Sequence, residues 1–208
     1  MSEKQFFQYD QHAIDYLKSR DARLAKEIER IGRIEREIIP DLFPALIYCI
    51  VGQQISNKAA ATVWMRIKDR FGEITSEIVS IRTEDEIQKC GLTMRKAVHI
   101  KNIASLVSVG DLRLDQLHSL SDEAVIQALV GLPGIGVWTA EMILIFCMQR
   151  PDILSWGDLA IRRGISVLHG ETQLSKARFD DFKALYTPFG SVASLYLWQI
   201  ARENMSKK

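Results

Sequence analysis

Three features of this 208-residue sequence have the residue types and spacing to do chemistry. One is a single carboxylate, Asp158, in the stretch "ILSWGDLAIRRG" (153–164), with a glycine just before it and Arg162 and Arg163 just after. A fixed carboxylate stabilises positive charge developing on a nearby carbon and can orient or deprotonate a water. Aspartate is also a good N-cap, and "LAIRRG" reads as the start of a helix, so capping is a second reading of the same residue. Another feature is "GLPGIG" (131–136), three glycines and a proline between two apolar helical stretches. It reads as a plain helix–helix connection, or as a nest of outward-pointing N–H groups at a helix N-terminus, which binds a phosphate oxygen without a lysine. Thr139, one turn into the following helix, can add a hydroxyl. No Gly-Lys-Ser/Thr follows, so this is not a P-loop, and no strand precedes it, so it is not a dinucleotide fingerprint. The last feature is the set of tryptophans. Trp138, Trp156 and Trp198 either pack in a core or offer faces that attract an electron-poor, cationic ring, worth roughly 0.5–2 kcal/mol each. Trp64 is read as core.

Composition narrows the classes of partner. With 47% hydrophobic and 25% charged residues the chain has a globular balance and enough apolar mass for a core. No apolar run is long enough to span a bilayer and "MSEKQFFQYD" is no signal peptide, so a soluble protein is expected, cytoplasmic (nucleoid) in a prokaryote or nuclear in a eukaryote. Cys49, Cys90 and Cys147 are widely spaced in apolar contexts and read as reduced core residues. No four-cysteine cluster exists, which excludes an iron–sulfur centre, and no metal site is expected. Net charge is +1, so a nucleic-acid partner requires the basic residues to be gathered on one face.

The elements that must position these residues are helices. In "LFPALIYCIVGQQIS" (42–56), Phe43, Leu46, Ile47, Ile50 and Val51 fall on one helix face. "NKAAATVWMRIKDRFG" stops at Gly72, and Thr83 caps "EDEIQ" ahead of Gly91. "LTMRKAVHIKNIASLV" has a basic side of Arg95, Lys96 and Lys101. Ser121 caps "DEAVIQALV", the glycine turn follows, and "VWTAEMILIFCMQR" ends before Pro151. The class is all-α, with strand alternation almost absent and no repeats.

Four segments in this order resemble the helix–hairpin–helix DNA glycosylase superfamily: "IVGQQIS" (50–56), "GLTMRKAVHI" (91–100), "LVGLPGIGVWTAEMIL" (129–144) and "ILSWGDLAIRRG" (153–164). The likeness covers roughly residues 40 to 200 and is to the 3-methyladenine DNA glycosylase II (alkylbase) branch. It implies a two-lobed helical fold with the active-site cleft between lobes: a six-helix barrel lobe over 46–150 and a second lobe from 1–45 and 151–208; in a departure from the family's most familiar member, the N-terminal β domain is expected to be lacking. It also implies a monomer that flips damaged bases out of double-stranded DNA. Asp158 is then the catalytic carboxylate, and Asp152 a surface turn residue.

By the same resemblance, strand-cutting members carry a nucleophilic lysine two residues after the last hairpin glycine. Here that residue is Trp138, and no lysine occurs between Lys101 and Lys176. Base release without strand cleavage is the implied reaction. Trp138 and Trp198 match pocket positions and Trp156, two residues before Asp158, suits a third wall, while Met142 and Leu159 stand where the family's most familiar member has tyrosines, which implies altered base selectivity. Gln54 matches the residue that fills the gap left by the flipped base, with Gln53 and Ile55 beside it; exposed amides at a helix end are the plain alternative. Gly134, Gly136, Thr139 and Ser191 would hold the DNA backbone. The carbonyls of Val130, Leu132 and Gly134 would accept a structural cation, with no other cofactor. A glycosylase for oxidised or deaminated bases and a non-catalytic DNA-binding hairpin are the competing functions.

Overall fold

The structure, a computed structural model, describes residues 4–205. In chain order the elements are β1 (Gln5–Phe6), α1 (Gln11–Arg20), α2 (Ala22–Ile31), β2 (Glu37–Ile38), α3 (Leu42–Gly52), α4 (Asn57–Phe71), α5 (Ser76–Ser80) and α6 (Glu84–Gln88). They continue with α7 (Met94–Ser108), a 3₁₀ turn over Leu114–Ser119, α8 (Asp122–Val130), α9 (Val137–Phe146), α10 (Leu159–His169), α11 (Lys176–Tyr186) and α12 (Gly190–Met205). Among the described residues the one departure from an all-α chain is the ribbon in which Gln5 pairs with Ile38 and Phe6 with Glu37. Two residues per strand are too few for alternation to show in sequence.

The chain forms two compact units, Ile39–Met148 and the combination of Met1–Ile38 with Gln149–Lys208. The first is built on α3 and α9. Leu46, Ile47, Ile50 and Val51 of the expected α3 face are at most 1% exposed, and Leu42, Phe43 and Ala45 are buried with them. The helix packs on α4, α7 and α9. Because its first turn is already core, the unit begins ahead of residue 46. Ile39 N–H donates to Phe146 O (3.0 Å) and Cys147 Sγ to Pro40 O (3.3 Å), which fastens the two ends of the unit together.

The other unit centres on α12, whose residues 190–197 are all buried, with α10 laid against it. Gly164 makes that approach possible: a Cβ there would sit 2.3 Å from Leu197 O. At the α1–α2 corner Asp21 is 6% exposed and caps α2, its Oδ1 accepting the N–H groups of Arg23 and Leu24. Its Oδ2 accepts the Tyr186 hydroxyl (2.8 Å) and lies 3.2 Å from His169 Nε2. Burial pushes the Asp21 carboxyl up, but the hydrogen bonds of His169, Tyr186 and the Leu24 N–H outweigh it and bring it down to about 2, from an ordinary 3.8. A group whose folded pKa is depressed stabilises the fold above its unfolded value and loses that contribution as pH falls toward the folded one. Asp21 should therefore contribute on the order of 2 kcal/mol above pH ~4 that disappears between about 4 and 2. Urea melts at stepped pH check this: in Asp21→Asn the acid-dependent loss of stability should shrink by that amount.

Candidate active site and nucleic-acid interface

In the Ile39–Met148 unit, the hairpin is rooted by Leu132 and Ile135, both buried, with Leu132 N–H donating to Leu129 O and Ile135 N–H to Leu132 O. Gly134 has φ +82°, and a Cβ on it would meet His99 Nδ1 at 2.2 Å, so glycine is required by backbone and by space alike. Gly136 is the N-cap of α9, has open space where a Cβ would stand, and is followed by no acidic residue in the first turn. The leading N–H groups of α9 have no partner within the helix, and the helix dipole adds to their pull on an anion. Thr139, in the first turn of α9, is 4% exposed.

Beside the hairpin lies the turn after α3. Gln54 takes φ +58°, a left-handed conformation that costs a non-glycine residue roughly 1 kcal/mol, and its side chain is exposed, as is that of Ile55 at 39%. Gln53 behaves differently from the wedge residue expected: its Nε2 donates to Gly134 O (2.8 Å), which ties the turn to the hairpin. Lys96 Nζ donates to Val51 O (2.9 Å) and Gln53 O (2.7 Å), closing the C-terminal end of α3. Burial lowers the pKa of that ammonium. Lys101 Nζ likewise donates to Ser80 O and Arg82 O. The basic side read on α7 is thus largely spent on helix ends, since a cation there offsets the dipole and satisfies orphan carbonyls.

The hairpin carbonyls meet part of what a cation needs. Leu132 O and Gly134 O each accept one protein N–H and retain one lone pair, and an all-oxygen set suits a hard ion. Among the described residues no group of three or more His, Cys, Asp or Glu side chains could hold a metal.

In the other unit, Asp158 is 7% exposed and caps α10, its Oδ1 accepting Ala160 N–H (2.8 Å) and Ile161 N–H (2.9 Å). The loop that leads to it is stitched to the first turn of α12. Ser191 Oγ donates to Arg150 O (2.6 Å) and accepts Ile153 N–H (2.9 Å), while Ser194 Oγ donates to Ile153 O (3.0 Å). Asp152 Oδ1 accepts Gly190 N–H (3.0 Å), so it is a helix cap and not a surface turn residue. Ser191 is fully buried with its hydroxyl occupied on both sides, which corrects its expected role at the DNA backbone: it positions the Asp158 loop.

The aromatic residues divide. Trp138 is 42% exposed on the first turn of α9, whereas Met142, one turn further along, is buried at 5%. Trp198 is half-buried on α12, and Leu159 is 61% exposed directly after Asp158. Trp156 does not present a vacant face. Phe179 meets its ring edge-on (5.2 Å between centroids), and the Arg162 guanidinium and Lys176 ammonium lie 4.8 and 5.8 Å from its centroid. A cationic base would be repelled there, so Trp156 is removed from the pocket walls. Trp64, expected in the core, is half-buried and meets the half-buried Tyr48 edge-on.

A match to the HhH-GPD superfamily base excision DNA repair protein spans residues 47–186, which takes in the Gln54 turn, the hairpin and Asp158. The chain belongs to this superfamily. The DNA-3-methyladenine glycosylase 1 of Schizosaccharomyces pombe is 31% identical over 165 residues, 77% of this chain and 72% of that one. The solved structure of a DNA-3-methyladenine glycosidase from Bacillus halodurans matches with TM-score 0.83 at 29% identity, covering 98% of this chain and 95% of that one. The structure of the S. pombe 3-methyladenine DNA glycosylase in complex with abasic DNA matches with TM-score 0.77 at 27% identity, covering 90% and 95%.

In this HhH-GPD chain the predicted residues are thus grouped within each unit: Gln54, Ile55, Gly134, Gly136 and Trp138 in one, Asp158, Leu159 and Trp198 in the other. Sequence reasoning missed the supports. Lys96 and the amide of Gln53 hold the turn, and Ser191, Ser194 and Asp152 hold the Asp158 loop. Each acts on backbone tens of residues away, a separation that no local pattern marks.

Proposed function

We propose that this protein is a monofunctional DNA glycosylase, acting as a monomer, which removes alkylated, cationic purines such as 3-methyladenine or 7-methylguanine from duplex DNA. The reading is carried by Asp158, a buried carboxylate whose Oδ1 takes two N–H groups and whose approach loop is fastened at four points. The names of the relatives at 31% and 29% identity support the substrate class.

Breaking the bond from an alkylated base to deoxyribose leaves positive charge on the sugar. A rigid carboxylate lowers the energy of that charge without having to reorganise, and can guide the attacking water. The base leaves readily because it is already cationic; the exposed Trp138 offers it a face for stacking and cation–π attraction. The target must leave the stack first, at a cost of a few kcal/mol, and Gln54 is suited to fill the gap. The hairpin amides of Gly134 and Gly136 suit a phosphate. A hard cation on the hairpin carbonyls would serve structure only.

With Trp138 where a nucleophilic lysine would stand, the product is an abasic site in an uncut strand. Purified protein on methylated duplex DNA should release methylated purines, with strand breaks appearing only after alkali. Breaks without alkali would show a nucleophile and end the monofunctional reading; binding without release would leave a non-catalytic hairpin module.

A further inference from the structure

The turn that carries Gln54 is followed by a helix with a charge pattern that the excision reading does not use. Ser56 caps α4 and Lys58 lies in its first turn, where no acidic residue accompanies it. A cation at that end opposes the helix dipole, a local cost that an anionic partner would reverse. Lys58, Thr62 and Arg66 recur at four-residue spacing, about 6 Å of rise per step, on an exposed face. They line an open groove of about 420 Å³ with Ser56, floored by Ala59 and the buried Val63. Neither Lys58 nor Arg66 has an ion-pair partner among the described residues. In the same unit Lys96 and Lys101 are committed to carbonyls and Arg113 to Asp115. Ser56 Oγ accepts Ala59 N–H and keeps its proton for a phosphate oxygen, whereas the Thr62 hydroxyl donates to Lys58 O.

We propose that this face of α4 is a second clamp for the DNA backbone, paired with the hairpin. The exposed Gln54–Ile55 turn then stands in the chain between two anchors: Gln53, before it, is bonded to the hairpin at Gly134 O, and Ser56, after it, caps the helix that bears the basic face. A residue that forces a stack open needs the backbone held on both sides, or the duplex shifts instead of opening. The proposal rests on the glycosylase reading for its partner, duplex DNA, and adds where that partner is gripped.

The test is the salt dependence of binding to a fluorescein-labelled duplex with a tetrahydrofuran abasic analogue, for wild type, Lys58→Glu/Arg66→Glu and the milder Lys58→Ala/Arg66→Ala. Loss of two phosphate contacts should lower the log–log salt slope by about 2 and weaken binding roughly tenfold at 0.1 M salt. The enzyme concentration giving half-maximal single-turnover release should rise in parallel. A charge-matched control on exposed lysines elsewhere, Lys26→Glu/Lys183→Glu, should leave the slope unchanged. An unchanged slope in the α4 variants, or an equal loss in the control, overturns the clamp. If wild type binds but releases no base while the α4 variants lose slope, the excision reading fails and the clamp stands. If wild type releases bases and the slope does not move, the clamp alone fails.

Discussion

Asp158→Asn should lower single-turnover base release by roughly 10²-fold or more while leaving the fold intact. The asparagine oxygen can still accept the N–H groups of Ala160 and Ile161, and asparagine is as good an N-cap as aspartate. The substitution therefore removes the charge and keeps the cap. Asp158→Ala removes both, and should add a stability loss of about 1 kcal/mol to the same loss of rate. Measuring rate and urea stability on both variants separates the two roles. An asparagine variant that still releases bases at the wild-type rate would reduce Asp158 to a helix cap.

The largest effect on stability is expected at Gly164. A Cβ there meets Leu197 O at 2.3 Å, Leu197 C at 2.8 Å and its Cα at 3.0 Å, all backbone atoms of a helix that cannot swing aside. Gly164→Val must push α10 away from α12, loosening a seam that holds Ile161, Ile165 and Leu197, each fully buried. Alanine in place of glycine normally gains up to ~1 kcal/mol of helix propensity, far less than the clash costs. We expect a loss of about 3 kcal/mol or more for valine, a lowering of Tm by roughly 10 °C, and an intermediate loss for alanine. Since α10 begins at the Asp158 cap, the valine variant should also lose activity at temperatures well below its own Tm. A urea midpoint equal to wild type would mean that the seam yields, and that the close approach is incidental.

Devices complete within about four residues are legible in the sequence: Thr83 caps α6, Ser121 caps α8, Gly72 ends α4 at φ +74°, and Asp158 opens α10. The buried face of α3 follows from its 3.6-residue period. The errors share another character. Ser191 has a hydroxyl that suits a phosphate, and Trp156 has a face that suits a base, yet hydrogen bonding or packing has already taken each one. Gln53 reads like its neighbour Gln54; only the approach of Gly134, eighty-one positions away, makes it a strut.

The sequence by itself determined the helices, their caps and the glycine hairpin, because these depend on periodicity and on backbone groups a few residues apart. The tertiary structure decided which side chains remain available to a ligand. A hydroxyl, amide or ammonium satisfies whichever partner packing brings within about 3 Å. In a close-packed chain that partner is set by which helices meet, and not by the residues next in sequence.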